Sequence, residues 1–341
     1  METFFCDQEK YERLYNCTGI DPITMGYGPN VGLGAVYIGI GTALELMYIP
    51  CMIVLLKPEL RNYSCYKLMF LLGIFDMVTL VINTFITGYL AIQGANFCSH
   101  PTFIYFAGAA ALGLWCGTCL TGIILGINRV VELWLPQFSK RIFGGCTTYL
   151  WFILPPTYGL LVAWYSTAFA FSTRGWTWYS NPFVDMEKWI EIDPEEYHSV
   201  AHAFHNISVI FILPSLYITL VISVWHKGRM IDDEALAKVH KQLMYQSCTL
   251  SAFIFVADAV YVYAQYYSAP ILLVVIGHFN WIACHGSAVV IYLTCNETIK
   301  KGVLDLLQLR RMRAITSSQV HQDADPKRQT VTELSTIPVH E

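Results

Sequence analysis

The chain has 341 residues, 55% of them hydrophobic and 13% charged, against about 25% charged in soluble domains. Net charge is −4 and mean hydropathy +0.45, and the hydrophobicity comes in long blocks. That excludes a soluble core and indicates a polytopic membrane protein. Met1–Lys10 already carries Glu2, Asp7, Glu9 and Lys10 and has no apolar core of a secretory signal, so the first span is expected to act as its own insertion signal. Most of the 11 cysteines sit inside apolar blocks, where a thiol packs as a small apolar side chain. Cys116-x-x-Cys119 stands in mid-span without a second ligand pair, which argues against zinc or redox chemistry.

Residues 1–30 are polar and irregular and contain Asn16-Cys17-Thr18, an N-glycosylation acceptor. Span 1 is expected at Val31–Leu56 with one charge, Glu45, and span 2 at Leu68–Ile92 with one charge, Asp76. Span 3 lies in the stretch Phe97–Trp134, around which the chain is organised. From Pro101 to Asn128 it has no Asp, Glu, Lys or Arg, long enough to cross a bilayer with tilt. Cys98 precedes it and Arg129 follows it. Span 4, Cys146–Phe171, is uncharged and holds Pro155-Pro156, read as a kink. A long aromatic and acidic loop, 172–201, leads to span 5 at Ile207–Trp225 with Pro214. A polar linker, His226–Gln242, precedes span 6 at Leu243–Ala264 with Asp258, and span 7 covers Ile271–Cys295.

Seven spans place the two ends on opposite sides. Lys10, Arg13, Arg174 and Lys188 fall on one side and the other 17 of the 21 Lys and Arg on the other. The positive-inside rule then puts the N-terminus outside. Asn16 lies on the glycosylated side, whereas the acceptor triplets at Asn62 and Asn296 lie inside. After span 7, Ile299, Val303, Leu306 and Leu307 form one helix face, flanked by Lys300, Lys301, Arg310, Arg311 and Arg313. An amphipathic helix on the inner leaflet is expected, N-capped by Asn296. The Ser/Thr-rich stretch from Ala314 reads as disordered.

Glu45, Asp76 and Asp258 are intramembrane carboxyl groups, which are costly and usually functional. For Asp76 the bland alternative is a protonated acid bonded to Asn83 or to a Ser or Thr. Asp258, slightly outward of the span 6 midpoint, faces either a ligand cavity or an internal polar contact. His202/His205 and His278/His285 each share a helix face and invite a zinc-hydrolase reading. Seven-helix zinc hydrolases of that kind are N-inside, against the charge distribution, so neither an enzyme nor a cofactor is expected. His278, with Phe279 and Trp281 in the outer half of span 7, is read as lining a pocket, with core packing as the competitor. Trp281, Asp258, Tyr261, Phe106 and Trp115 are the other pocket candidates. The aromatic loop residues Trp176, Trp178, Tyr179, Phe183, Trp189 and Tyr197 suit an interfacial lid. No phosphate-binding glycine loop, Ser/His/Asp arrangement, nucleic-acid motif, voltage sensor or pore loop is found.

One set of residues resembles the nematode serpentine receptors of class T. It comprises Tyr15-Asn16-Cys17, Tyr48-Ile49-Pro50, Cys65-Tyr66-Lys67-Leu68-Met69, Leu72-Gly73-Ile74-x-Asp76, Gly94 and Phe97-Cys98-x-x-Pro101. Asn128-Arg129, Asn181-Pro182, Trp281 with His285-Gly286, and Ile291-Tyr292-Leu293-x-x-Asn296 complete it. The likeness covers roughly residues 15–310 and implies a chemosensory G-protein-coupled receptor fold. It implies a switch role for Arg129 and Tyr292, with Asn128 where rhodopsin-like receptors carry an acid. Glu132, one helical turn on, is the candidate replacement for that acid; the competing reading is an arginine that snorkels. Asp76 resembles the span 2 aspartate that binds sodium or water. Receptors of this architecture usually bridge the cysteine before span 3 to the second outer loop, but 172–201 has no cysteine. Cys6 and Cys17 are the other outer cysteines; Cys17–Cys98 is the expected pair and a free thiol the alternative. Span 6 lacks a proline, and Ala288-Val289 stand where Asn-Pro would precede Tyr292.

The expected fold is an all-α membrane protein, a rhodopsin-like seven-transmembrane helix bundle. Its parts are an extracellular segment (1–30), the bundle (31–295), a juxtamembrane helix (296–313) and a cytoplasmic tail (314–341). The expected function is a chemoreceptor that binds a small-molecule ligand and signals to a heterotrimeric G protein at the plasma membrane, with a sensory cilium implied by the resemblance. A seven-helix ligand-gated channel, which would be N-inside, and a non-signalling membrane scaffold are the alternatives.

Overall fold

The computed structural model describes residues 1–21, 25–184, 186, 193–228, 234–267 and 269–308; within 228–250, side chains are described at 248 and 249 only. Five helices are long and apolar enough to cross a membrane: Val31–Leu55 (span 1), Ser64–Gln93 (span 2), Pro101–Trp134 (span 3), Val200–Lys227 (span 5) and Ile271–Thr294 (span 7). Pro136–Phe143 and Thr148–Tyr165, which meet at 68°, make a sixth if taken as one. The 33-residue helix Glu234–Tyr266 packs against spans 5 and 7 in the place of span 6.

Local chemistry sets the boundaries. The Asn30 side chain caps span 1 by accepting from Leu33 N at 3.0 Å, satisfying a donor that the first turn leaves open. Gly94, at φ +63°, ends span 2 in the left-handed conformation that glycine adopts without penalty. Pro101 opens span 3, where its missing N–H costs nothing. Span 2 contains a π turn, Val81–Ile86, before it resumes as Thr87–Gln93.

Three expectations change. Span 3 runs past Asn128 to Trp134, so Arg129 lies within the helix rather than at its end. Span 4 is not a kinked helix over Cys146–Phe171. A 3₁₀ turn, Thr147–Leu150, precedes a helix of only 12 residues, Leu154–Tyr165. The proline pair has no N–H to donate and so begins that helix instead of bending it. At about 18 Å it is shorter than the ~30 Å hydrocarbon core. Beyond it, Ala170–Ser172 (β1) and Thr177–Tyr179 (β2) form an antiparallel hairpin pairing Ala170 with Tyr179, Phe171 with Trp178 and Ser172 with Thr177. Every residue of both strands is buried, so this part of the loop is a plug and not an interfacial lid.

The N-terminal segment is also more ordered than its polarity suggests. Helices Glu2–Cys6 and Gln8–Leu14 lie at the outer end of the bundle. Phe4 meets Phe106 at 5.0 Å and Tyr15 meets Tyr105 at 5.1 Å between ring centroids. Tyr197 Oη donates to Leu14 O at 2.6 Å, and Arg13 pairs with Glu196. Cys17 and Cys98 are joined, with Cα atoms 5.5 Å apart. At the inner end, Asn296 accepts from Ile299 N at 3.1 Å and caps a helix over 297–308. Ile299 and Val303 are buried, whereas Leu304 and Leu307 are exposed. Most of the acids of 172–201, Trp189, residues 229–233, the arginines at 310, 311 and 313 and the tail from Ala314 lie outside the described residues.

Candidate functional site

The hairpin is seated by one close approach. A Cβ on Gly108 would come within 1.7 Å of Phe169 O, so only glycine lets span 3 meet the strand that enters the bundle. From β2, Trp178 Nε1 donates to Thr87 Oγ1 at 2.8 Å, and Thr87 Oγ1 donates to Ile82 O at 2.8 Å. That carbonyl belongs to the π turn, which shifts span 2 out of its regular ladder. Asn83 O lies 2.9 Å from His278 Nε2. A carbonyl can only accept, so Nε2 carries the proton and Nδ1 accepts from Thr177 Oγ1 at 2.9 Å. His278, expected in the pocket wall, instead ties the hairpin to span 2. Both ring nitrogens are used, which a sequence reading could not foresee.

Beneath the hairpin lies a cavity of about 300 Å³, lined by Ala111, Trp115, Phe169, Trp178, His202, Tyr261 and Trp281. A second lobe of about 400 Å³ shares Phe169, Trp178, His202 and Tyr261 with it and adds Gln265 and Val274. Of the sequence candidates, Trp115, Tyr261 and Trp281 line it. Phe106 belongs to the outer aromatic cluster with Phe4 and Phe5. One wall is a one-way chain of hydrogen bonds. Trp115 Nε1 donates to Asn206 Oδ1 at 3.2 Å, and Asn206 Nδ2 to His202 Nε2 at 3.0 Å. His202 Nδ1 then donates to Gln265 Oε1 at 3.3 Å, and Gln265 Nε2 to Ser199 O at 3.3 Å. Asn206 therefore fixes His202 as neutral, with its proton on Nδ1. His202 was visible in the sequence only as half of a histidine pair, and Phe169 and Ala111 carried no mark at all.

Asp258 does not line the cavity. It is fully buried one helical turn inward of Tyr261, against the Trp115 indole. That indole gives its N–H to Asn206, and neither Asp258 oxygen has a hydrogen-bond partner among the described residues. Below Trp281 is a closed polar network. Trp281 Nε1 donates to His285 Nε2 at 3.2 Å, so the other ring nitrogen carries the proton and gives it to Asp76 Oδ1 at 2.8 Å. Tyr48 Oη stands 2.9 Å from Asp76 Oδ2 and 2.6 Å from His285 O. Protein groups thus occupy both oxygens of Asp76. Asn83, the partner considered from the sequence, is not used. It lies on the far side of the turn, buried, with neither amide atom bonded.

The inner end contrasts with this. Arg129 is only 4% exposed. Its Nη2 lies 3.6 Å from Met69 Sδ, a weak acceptor, and Nε and Nη1 have no partner among the described residues. The expected pair with Glu132 is not made. Arg129 turns inward onto span 2, and Glu132 is exposed, close enough to feel its charge but not to bond it. Asn128 Nδ2 donates to Ser64 Oγ at 3.0 Å. Tyr292 is buried beside Tyr48. Glu45 is half-buried in span 1, with Oε1 unbonded. Asn16 is exposed, and its side chain accepts from Thr18 N at 2.8 Å.

Comparison with known proteins agrees with this architecture. The model of the serpentine type seven-transmembrane GPCR chemoreceptor family Srt matches residues 1–316. Among curated proteins, serpentine receptor class T-55 of Caenorhabditis elegans is 19% identical over 284 residues, covering 82% of this chain and 76% of that one. The chain belongs to the Srt family, a family of membrane receptors and not of enzymes.

Proposed function

We propose that this Srt-family chain is a rhodopsin-like chemoreceptor that binds a small molecule in the cavity beneath the hairpin and signals to a heterotrimeric G protein. One observation carries the reading: Trp281 is at once a wall of the cavity and a hydrogen-bond donor to the His285–Asp76 network. A ligand that moves the indole changes the partners of a carboxyl group at the centre of the bundle. It shifts the bundle between packings only by its differential affinity for them. At the inner end, Arg129 is the contact offered to the partner, with Asn128, Glu132 and Tyr292 around it. The 17-to-4 division of Lys and Arg favours an external N-terminus. Asn16 is then a glycosylation site, the helix beginning at 297 rests on the inner leaflet, and the protein works at the plasma membrane, in a sensory cilium by family likeness.

The test is to tag both ends, stain intact and permeabilised cells, and record cAMP and calcium against a small-molecule panel. An external N-terminus and an agonist response abolished in Arg129→Ala are expected. An internal N-terminus would overturn the receptor reading and favour a channel.

A further inference from the structure

Resting on the reading of the cavity as a ligand site, we infer that its ligand is an organic cation whose charged nitrogen carries few or no N–H groups: a quaternary or tertiary ammonium. Three indoles, Trp115, Trp178 and Trp281, with Tyr261 and Phe169, surround the space. Their faces are negative and hold a cation by its charge without a hydrogen bond. The acceptors of the polar wall are already taken: Asn206 Oδ1 by Trp115, His202 Nε2 by Asn206, and Gln265 Oε1 by His202. A primary ammonium would bring three N–H donors into a space that cannot satisfy them, and unsatisfied buried donors are costly. A methylated ammonium brings none.

The counter-charge is Asp258. It is fully buried behind Trp115 with both oxygens unpartnered. An uncompensated carboxyl in a membrane interior is expensive. Asp76, the other buried acid of the bundle, has both oxygens bonded and needs nothing more. A cation against the Trp115 ring places a positive charge on one side of the indole and the Asp258 carboxylate on the other. A neutral ligand of the same shape fills the cage equally well and leaves the acid uncompensated.

The test compares choline with 3,3-dimethyl-1-butanol, its neutral carbon isostere, by calorimetry on the full chain in phosphatidylglycerol nanodiscs. These discs contain no quaternary ammonium, so heat belongs to the free probe. Choline is expected to bind roughly tenfold or more tightly than the isostere. Weakened choline binding in phosphatidylcholine discs would support the same chemistry, with the lipid headgroup as competitor. Asp258→Asn, checked for its helical content, is expected to bring the two affinities together. Equal or inverted affinities in the wild type, no choline binding at millimolar concentration, or discrimination that survives in Asp258→Asn each overturns the inference. Since no signalling is read, failure here leaves the receptor reading standing. Binding without a cellular response counts against the receptor reading alone.

Discussion

The outer and inner ends of the bundle are finished to different standards. Outside, a disulfide, an aromatic cluster and a buried hairpin hold one another, and the buried side chains that join hairpin to helices find partners: Trp178 with Thr87, His278 with Thr177 and Asn83. Inside, a buried guanidinium faces a thioether and leaves two of its nitrogens unbonded. Satisfied networks fix one arrangement, whereas an unsatisfied buried charge gains by moving toward a partner. The molecule therefore keeps the cavity still and leaves its free energy of rearrangement at the cytoplasmic end.

The comparison can be broken most severely at its covalent joint. Cys98→Ser opens a link spanning 81 residues of sequence. Loop-closure entropy puts the loss at about 4 kcal/mol. Surface expression measured by antibody staining should collapse. Gly108→Val forces span 3 off the Phe169 carbonyl and should cost about 1–3 kcal/mol as overpacking. In a thermal-melting assay it should lower the transition and weaken binding of whatever ligand the cavity takes. The smallest effect sharpens the contrast. Arg129→Met, at the inner end, should leave the melting temperature unchanged or raise it, because an apolar side chain replaces a buried charge without an ion partner. A large fall in melting temperature would show that the inner end is as finished as the outer.

The two ends were also unequally legible in sequence. The apolar blocks revealed the spans because a bilayer demands about 20 apolar residues whatever the neighbours are. The charge asymmetry likewise needs no three-dimensional knowledge. Span 4 was misjudged because composition cannot tell a proline inside a helix from one that begins it. The hairpin was misjudged because its tryptophans suit an interface and a core equally well. Trp281, Tyr261 and Trp115 were legible as pocket residues from their depth. His278, Phe106 and Asp258 have similar depth but sit behind, above or below the cavity. Side-chain direction depends on the helix phase, which in span 2 alone is altered by the π turn.

That turn has a mechanical consequence. One residue of helix corresponds to about 100° of rotation, so the wider turn at Val81–Ile86 acts as a phase shifter in a drive shaft. Below it, Asp76 is keyed to His285; above it, Thr87 is keyed to Trp178. Both keys engage at once only while the shift is present. Removing a single residue from the turn would restore an unbroken α-helix and swing the outer key out of its slot with the inner one still engaged.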